Sequence, residues 1–209
     1  MDTLIYFTGN WEEDCLIMKM ILDEVEFKSG TARRKMYAQK AGTGGSMLYG
    51  LTWKSYLSPT KNRTQSEYKG LFYTKPVDDH PELKIIFKQF RDLYFKDFDY
   101  TQVQMNKNFH CGPHKDSTNV GESILVGFGD FTGGLTYVNY DGDLKSYNIK
   151  NNFVKFNGAK YEHWVSPFKG TRYTLVFFDN LKNHKKIPFN VVKQSTPLVK
   201  QSTPLVNQN

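Results

Sequence analysis

Apolar positions along the chain fall into two periods, and the change from one to the other divides the sequence. Over residues 11–27, Trp11, Cys15, Ile17, Met18, Ile21, Leu22 and Val25 recur at helical spacing, which predicts an amphipathic helix. "DDHPELKIIFKQFRDLYF" predicts a second one. There Asp79 or His80 supplies the cap, Pro81 suits the first turn, and Leu83, Ile86, Phe87, Phe90 and Tyr94 line one face. From residue 101 the period shortens. "TQVQMN", "SILVGFG", "LTYVNY", "LKSYNI", "NFVKFNG", "HWVSPF" and "RYTLVFF" read as about seven short strands, with turns at Gly133-Gly134 and Asp141-Gly142. Strands so closely spaced predict a mainly β (α+β) chain, a sandwich or jelly roll with flanking N-terminal helices, not a parallel βαβ sheet.

Residues 28–70, between the two helices, change composition. They carry nine Lys or Arg against a single acid, Glu67, so about a third of the positive charge sits there. Arg33, Arg34 and Lys35 form its densest run, and Tyr37, Tyr49, Trp53, Tyr56 and Tyr68 are interleaved. The same composition suits a solvated loop-rich face or a lobe that holds phosphates and stacks bases. A net charge of +7 favours the second reading, an anionic partner and above all nucleic acid. At the other end "KQSTPLV" stands twice, at 193–199 and 200–206, and its prolines exclude a heptad coil. Residues 191–209 are expected to be a disordered tail, and 1–190 one domain.

No apolar run nears the roughly 20 residues that span a membrane. The acidic start "MDTLIYFTGNWEED" is unlike a signal peptide, and two cysteines, Cys15 and Cys111, make no disulfide framework. An intracellular enzyme of cytoplasm or nucleus, monomeric and of microbial or viral origin, is the expectation.

The chemistry concentrates in "HCGPHKDSTN", residues 110–119, which admits a metal site, a redox centre or a polar loop. His114 and Asp116 form a His-x-Asp pair, and alternate residues of extended backbone face one side. Spacing alone decides nothing, since chance supplies roughly half such a pair in a chain of this make-up. A second instance, His80-Pro81-Glu82, is better explained as a helix start. Context weighs more. His163 lies beside a later strand, and Arg172 opens the next, sharing a face with Thr174 and Val176. Two histidines and a carboxylate make the facial triad of non-haem Fe(II) oxygenases. A strand arginine can line a barrel interior only if an anion meets it there, and the distal carboxylate of 2-oxoglutarate is such an anion.

"NKNFHCGPHKDSTNVGESILVGFGDFTGG" followed by "VKFNGAKYEHWVSPFKGTRYTLVFF" resembles the Fe(II)/2-oxoglutarate dioxygenase superfamily, nearest to the TET/JBP-like nucleic-acid base oxidases. The likeness covers residues 101–178, less than half of the chain; the 28–70 lobe is only loosely similar to the substrate lids of such enzymes. It implies a double-stranded β-helix core (jelly-roll or cupin-like) with His114, Asp116 and His163 as iron ligands and Arg172 as the 2-oxoglutarate anchor. Asn106 and Ser123 are implied as polar contacts to co-substrate, and Asn119 borders the site as a substrate contact beside Arg33, Arg34 and Lys35. The implied reaction uses Fe(II), 2-oxoglutarate and O2, with ascorbate as accessory reductant. Its implied target is a pyrimidine 5-methyl group of DNA, 5-methylcytosine or thymine. The cysteine-rich zinc module of animal TET enzymes is absent from the sequence, which leaves a smaller recognition platform. A prolyl-hydroxylase-like peptide hydroxylase and a non-catalytic reader of modified DNA are the other readings.

Overall fold

The computed structural model describes residues 6–27, 44–56 and 68–180. Arg33, Arg34, Lys35 and the repeat tail lie outside the described residues, as does most of the basic lobe. Among the described residues there are three helices: α1 (Trp11–Asp23) ahead of the first strand, and α2 (Lys75–Asp79) and α3 (Leu83–Tyr94) between the second and third strands. Asn10 caps α1 by accepting from the backbone N–H groups of Glu12 (3.0 Å) and Glu13 (3.2 Å), a bond set that contributes about 1 kcal/mol. The second predicted helix is corrected. His80 ends α2, and α3 starts after Glu82 without a side-chain cap, so Asp79 and His80 do not begin it.

The described residues form eleven strands that obey the alternation of the sequence: β1 (Gly45–Tyr56), β2 (Tyr68–Tyr73), β3 (Gln102–Lys107), β4 (Asn119–Phe128), β5 (Phe131–Gly133), β6 (Thr136–Tyr140), β7 (Asp143–Tyr147), β8 (Asn152–Phe156), β9 (Glu162–Val165), β10 (Phe168–Gly170) and β11 (Tyr173–Asn180). The count exceeds the sequence expectation because "HWVSPF" breaks into β9 and β10 at Ser166-Pro167, and because β1, β2 and β5 also pair. Asp141 and Gly142, both at positive φ (55° and 105°), make the two-residue turn that joins β6 to β7.

One sheet has the order β2-β1-β3-β11-β4-β8 and a second the order β7-β6-β9; β10 and β5 form a separate ribbon. His114 bridges to His163 on β9, so the chain before β4 joins the second sheet at its edge. Two antiparallel sheets built from alternating segments of one chain form a double-stranded β-helix, the jelly-roll core expected from the sequence.

The six-stranded sheet is covered on both faces. Outward, Val103, Met105, Ile124, Val126, Phe128, Tyr173, Leu175 and Phe177 pack against α1 and α3. Helix α3 contributes Leu83, Ile86, Phe87 and Phe90, one stripe at helical spacing. Inward, the alternate residues of β3, β4 and β11 face a cavity closed on its far side by the three-stranded sheet.

Candidate active site

The cavity has a volume of about 310 Å³, within the range of small-molecule sites. His114, Asp116, His163 and Arg172, singled out in the sequence, all line it, as do Asn106, Asn119 and Ser123. Backbone pairing brings the first three together. The His114 N–H donates to the His163 carbonyl (3.1 Å) and the His163 N–H to the His114 carbonyl (2.9 Å). Directly opposed residues of an antiparallel pair present their side chains on one face, and the two rings stand 4.3 Å apart. The Asp116 N–H donates to the Gly158 carbonyl at 2.9 Å, which sets its carboxylate beside them.

Hydrogen bonds also decide which ring nitrogens face inward. His114 Nδ1 lies 2.8 Å from the Gly112 carbonyl, and His163 Nδ1 lies 3.1 Å from that of Tyr161. A carbonyl only accepts, so each Nδ1 carries the proton and each Nε2 keeps a lone pair. Those Nε2 atoms lie 3.9 Å (His114) and 3.6 Å (His163) from the Asp116 oxygens, and the possible ligand atoms are all within 4.8 Å of one another. Ligands about 2.0–2.2 Å from a common ion stand about 3–4 Å apart, so the set fits one divalent metal with small adjustment. Gly158 keeps the place clear. A Cβ there would stand 3.3 Å from both Asp116 Oδ2 and His163 Cε1. Asn119 Nδ2 is 3.4 Å from Asp116 Oδ2 and 3.4 Å from Ser123 Oγ, so this side chain braces the carboxylate. Burial is graded from His163 to Asp116, whose side chain is 40% exposed, so the cluster opens on the aspartate side.

Arg172 occupies a different part of the cavity and is 4% exposed. Asn108, itself at positive φ (49°), fixes its backbone by accepting from the Arg172 N–H (2.8 Å) and donating to its carbonyl (2.7 Å). The guanidinium carbon lies 5.5 Å from the Phe131 ring and 5.4 Å from that of Phe168, so it rests against an aromatic ring from each strand of the β5–β10 ribbon. No carboxylate among the described residues pairs with it, and its Nε is buried without a partner. Burial pushes the guanidinium down to about 10, a cost of about 3 kcal/mol at neutral pH for keeping the charge inside the fold. An incoming carboxylate removes that cost.

Asn106 belongs to a polar chain. Ser46 Oγ donates to Asn106 Oδ1 (2.7 Å), and Asn106 Nδ2 donates to Thr174 Oγ1 (3.1 Å). Sequence reasoning missed the wall residues Gln102 and Gln104 on β3 and Thr136 on β6, and also the two phenylalanines beside Arg172 and Gly158 behind the cluster. The alternation in "TQVQMN" does place Gln102, Gln104 and Asn106 on one face, but not that this face is enclosed. His110, the other histidine of the 110–119 stretch, lies with its ring 6.5 Å from that of Phe168.

The double-stranded β-helix, the His-x-Asp…His cluster and a buried arginine in the same cavity are the features that the resemblance to the Fe(II)/2-oxoglutarate oxygenases implied. Solved structures that the fold resembles include NgTET1 in complex with 5mC DNA (16% identity, TM-score 0.43, 71% of this chain). The match spans 65% of the NgTET1 chain, just under two thirds of its length. A Pseudomonas putida prolyl-4-hydroxylase matches at 12% identity and TM-score 0.42 over 80% of this chain and 84% of that one. A 2OG-Fe(II) oxygenase family oxidoreductase from Burkholderia pseudomallei matches at 14% identity and TM-score 0.37 over 74% and 93%. At these values the likeness is one of chain path alone, and the reading of the site rests on its own residues. No family model and no curated protein matches the chain. Among the described residues no helix is long and apolar enough to cross a membrane.

Proposed function

We propose that this protein is a dioxygenase that hydroxylates a nucleic-acid base, most directly a pyrimidine 5-methyl group in DNA, with Fe(II) and 2-oxoglutarate. The observation that carries the oxygenase half is the pairing, in one cavity, of two Nε2-presenting histidines and a carboxylate with a buried arginine that has no anion among the described residues. His114, His163 and Asp116 are the metal ligands in this reading, and Arg172 takes the distal carboxylate of 2-oxoglutarate. Thr136 joins it there. Its hydroxyl is buried without a partner, and it stands two residues beyond Gly134, where a Cβ would lie 3.1 Å from Arg172 Nε. When bound, the metal and co-substrate supply C–H hydroxylation by O2, coupled to release of succinate and carbon dioxide.

The chain's own residues hold and exclude. The Gly112 and Tyr161 carbonyls fix the imidazole tautomers, and Asn119 braces the carboxylate. Phe156, 4.8 Å from the His163 ring and buried, shields the cluster from water on that side. The open aspartate side admits the substrate. Net charge +7, with nine cations over residues 28–70, supports a polyanion as the partner that presents it. A base reaches an enclosed site only when flipped or single-stranded.

The test is incubation with Fe(II), 2-oxoglutarate and ascorbate on methylcytosine-containing and unmodified DNA, followed by nucleoside mass spectrometry, with Asp116→Ala in parallel. A nucleoside that gains one oxygen, absent with the variant, supports the reading. Succinate without any altered nucleoside moves the substrate to a peptide, as in prolyl hydroxylation, or to a small molecule. No succinate from iron-loaded protein refutes the oxygenase reading and leaves a binding barrel.

A further inference from the structure

The chain's two cysteines lie on opposite sides of the six-stranded sheet, in opposite surroundings. Cys15, on α1, is buried in the apolar core of the helix side. Burial, and then the charges of Asp14 and Glu12, push its thiol up to about 12, so it stays protonated and inert. Cys111 is half-buried and lines the cavity. The proposed reaction gives it no role.

Backbone hydrogen bonds hold Cys111 near Arg172. Asn108, three residues before it, grips Arg172 through both of that residue's backbone groups, and three residues of chain reach at most about 11 Å. The Cys111 carbonyl accepts from the Val165 N–H (3.2 Å). Two residues on, the Pro167 carbonyl accepts from the N–H of Gly134 (3.0 Å), the residue that abuts Arg172 Nε. Burial lowers the pKa of the guanidinium, and negative charge on the Cys111 sulfur opposes that fall. Arg172 is 4% exposed, and no carboxylate among the described residues pairs with it. An anion formed at Cys111 thus meets a cation that needs one. A cation beside a thiol also favours the thiolate, the form that reacts.

We propose that Cys111 is an oxidation site that closes the cavity: hydrogen peroxide converts its thiol to a sulfinate, which takes the Arg172 guanidinium in place of the 2-oxoglutarate carboxylate. The closing half rests on the co-substrate reading above; the oxidation itself does not. In the first step the thiolate attacks one peroxide oxygen, and an S–O bond forms as the O–O bond breaks. The departing hydroxide takes up a proton and leaves as water, so sulfur loses the two electrons that the peroxide gains. A second thiol would trap the resulting sulfenic acid as a disulfide, but Cys15, the one other cysteine of the chain, lies across the sheet in the core. A second peroxide therefore repeats the step and gives the sulfinic acid, which loses its proton to solvent. Its two oxygens on one centre match the paired N–H groups of a guanidinium as a carboxylate does.

The test uses the full chain loaded with Mn(II) in place of iron, so that neither turnover nor iron–peroxide chemistry contributes. After hydrogen peroxide, peptide mass spectrometry is expected to find two added oxygens on Cys111 and none on Cys15. By calorimetry the oxidised protein is expected to bind 2-oxoglutarate about a hundredfold more weakly than the untreated one. Cys111→Ser should keep its own affinity through the same treatment, which separates the thiol from any other oxidised residue. Oxidation of Cys111 that stops short of the sulfinate, or runs no faster than at Cys15, overturns the proposal. So does full conversion with unchanged affinity, or an equal loss of affinity in treated Cys111→Ser. Untreated protein that holds Mn(II) but does not bind 2-oxoglutarate refutes the co-substrate reading instead. The closing role then falls with it, and the oxidation site is still judged by mass.

Discussion

The two faces of the six-stranded sheet come from the same strands, yet they obey opposite rules. On the helix side Val103, Met105, Leu175 and Phe177 are fully buried among apolar neighbours, and aromatic rings meet edge to face, as Phe87 does with Phe177 at 6.0 Å. On the cavity side, one residue along each strand, stand Gln102, Gln104, Ser123, Arg172 and Thr174, also buried but polar. The first face gains free energy from burial, about 1.5–3 kcal/mol for each large side chain. The second spends some of it, in an unpaired cation and in polar atoms without partners. Stability and function are thus separated by a single residue of strand alternation, and a shift of register by one would exchange them.

Breaking the cavity face at the cluster has the largest expected effect. Asp116→Ala removes one of the three proposed ligands and should bring succinate formation below detection, while the melting temperature of metal-free protein changes little. The matching cut on the other face is Phe90→Ala. Phe90 is fully buried against Phe7, Trp11 and Phe128, so its truncation should destabilise the fold by about 3–5 kcal/mol in denaturant titration. Arg172→Met sharpens the contrast, since its two effects have opposite signs. Affinity for 2-oxoglutarate should fall about a hundredfold, whereas the ligand-free protein should melt at a higher temperature because an unpaired buried charge is gone.

Gly158→Ala is subtler. The added methyl group presses on Asp116 and His163 from 3.3 Å, and metal affinity should drop about tenfold with little change in fold stability. The smallest effect is confined to acid. Asp14 is buried on α1, where burial alone would raise its pKa. Hydrogen bonds from the Tyr94 hydroxyl, the Thr8 and Gly9 N–H groups and the Thr8 hydroxyl outweigh that and hold it below the ordinary carboxylate range. A lowered folded-state pKa contributes stability above about pH 4 that is lost as pH falls through the folded value. Asp14→Asn should therefore flatten the decline of melting temperature between about pH 5 and pH 3.

Much of this was legible in the chain. The helical stripe of Leu83, Ile86, Phe87 and Phe90 needs only a period, and the Asp141-Gly142 turn only two residues that tolerate positive φ. His114, Asp116, His163 and Arg172 stood out because their residue types have specific chemistry and because a strand arginine facing inward needs an anion. The helix boundary at Asp79–Glu82 was misread, since a proline after a capping residue suits the end of one helix and the start of another equally well. Gln102 and Thr136 went unnoticed because polar residues at alternate strand positions normally face water.

What the sequence by itself determined is periodic and local: which residues alternate, where the chain can turn, and which side chains can bind a metal or an anion. Tertiary structure decided what covers each face. Only the closing of the three-stranded sheet over the larger one makes an enclosed wall of Gln102, and only the pairing of His114 with His163 sets two rings, 49 residues apart in sequence, beside one carboxylate. Alternation says that a strand has two sides. Whether the polar side meets solvent or a buried ligand depends on contacts between residues far apart in the chain, which no local pattern encodes.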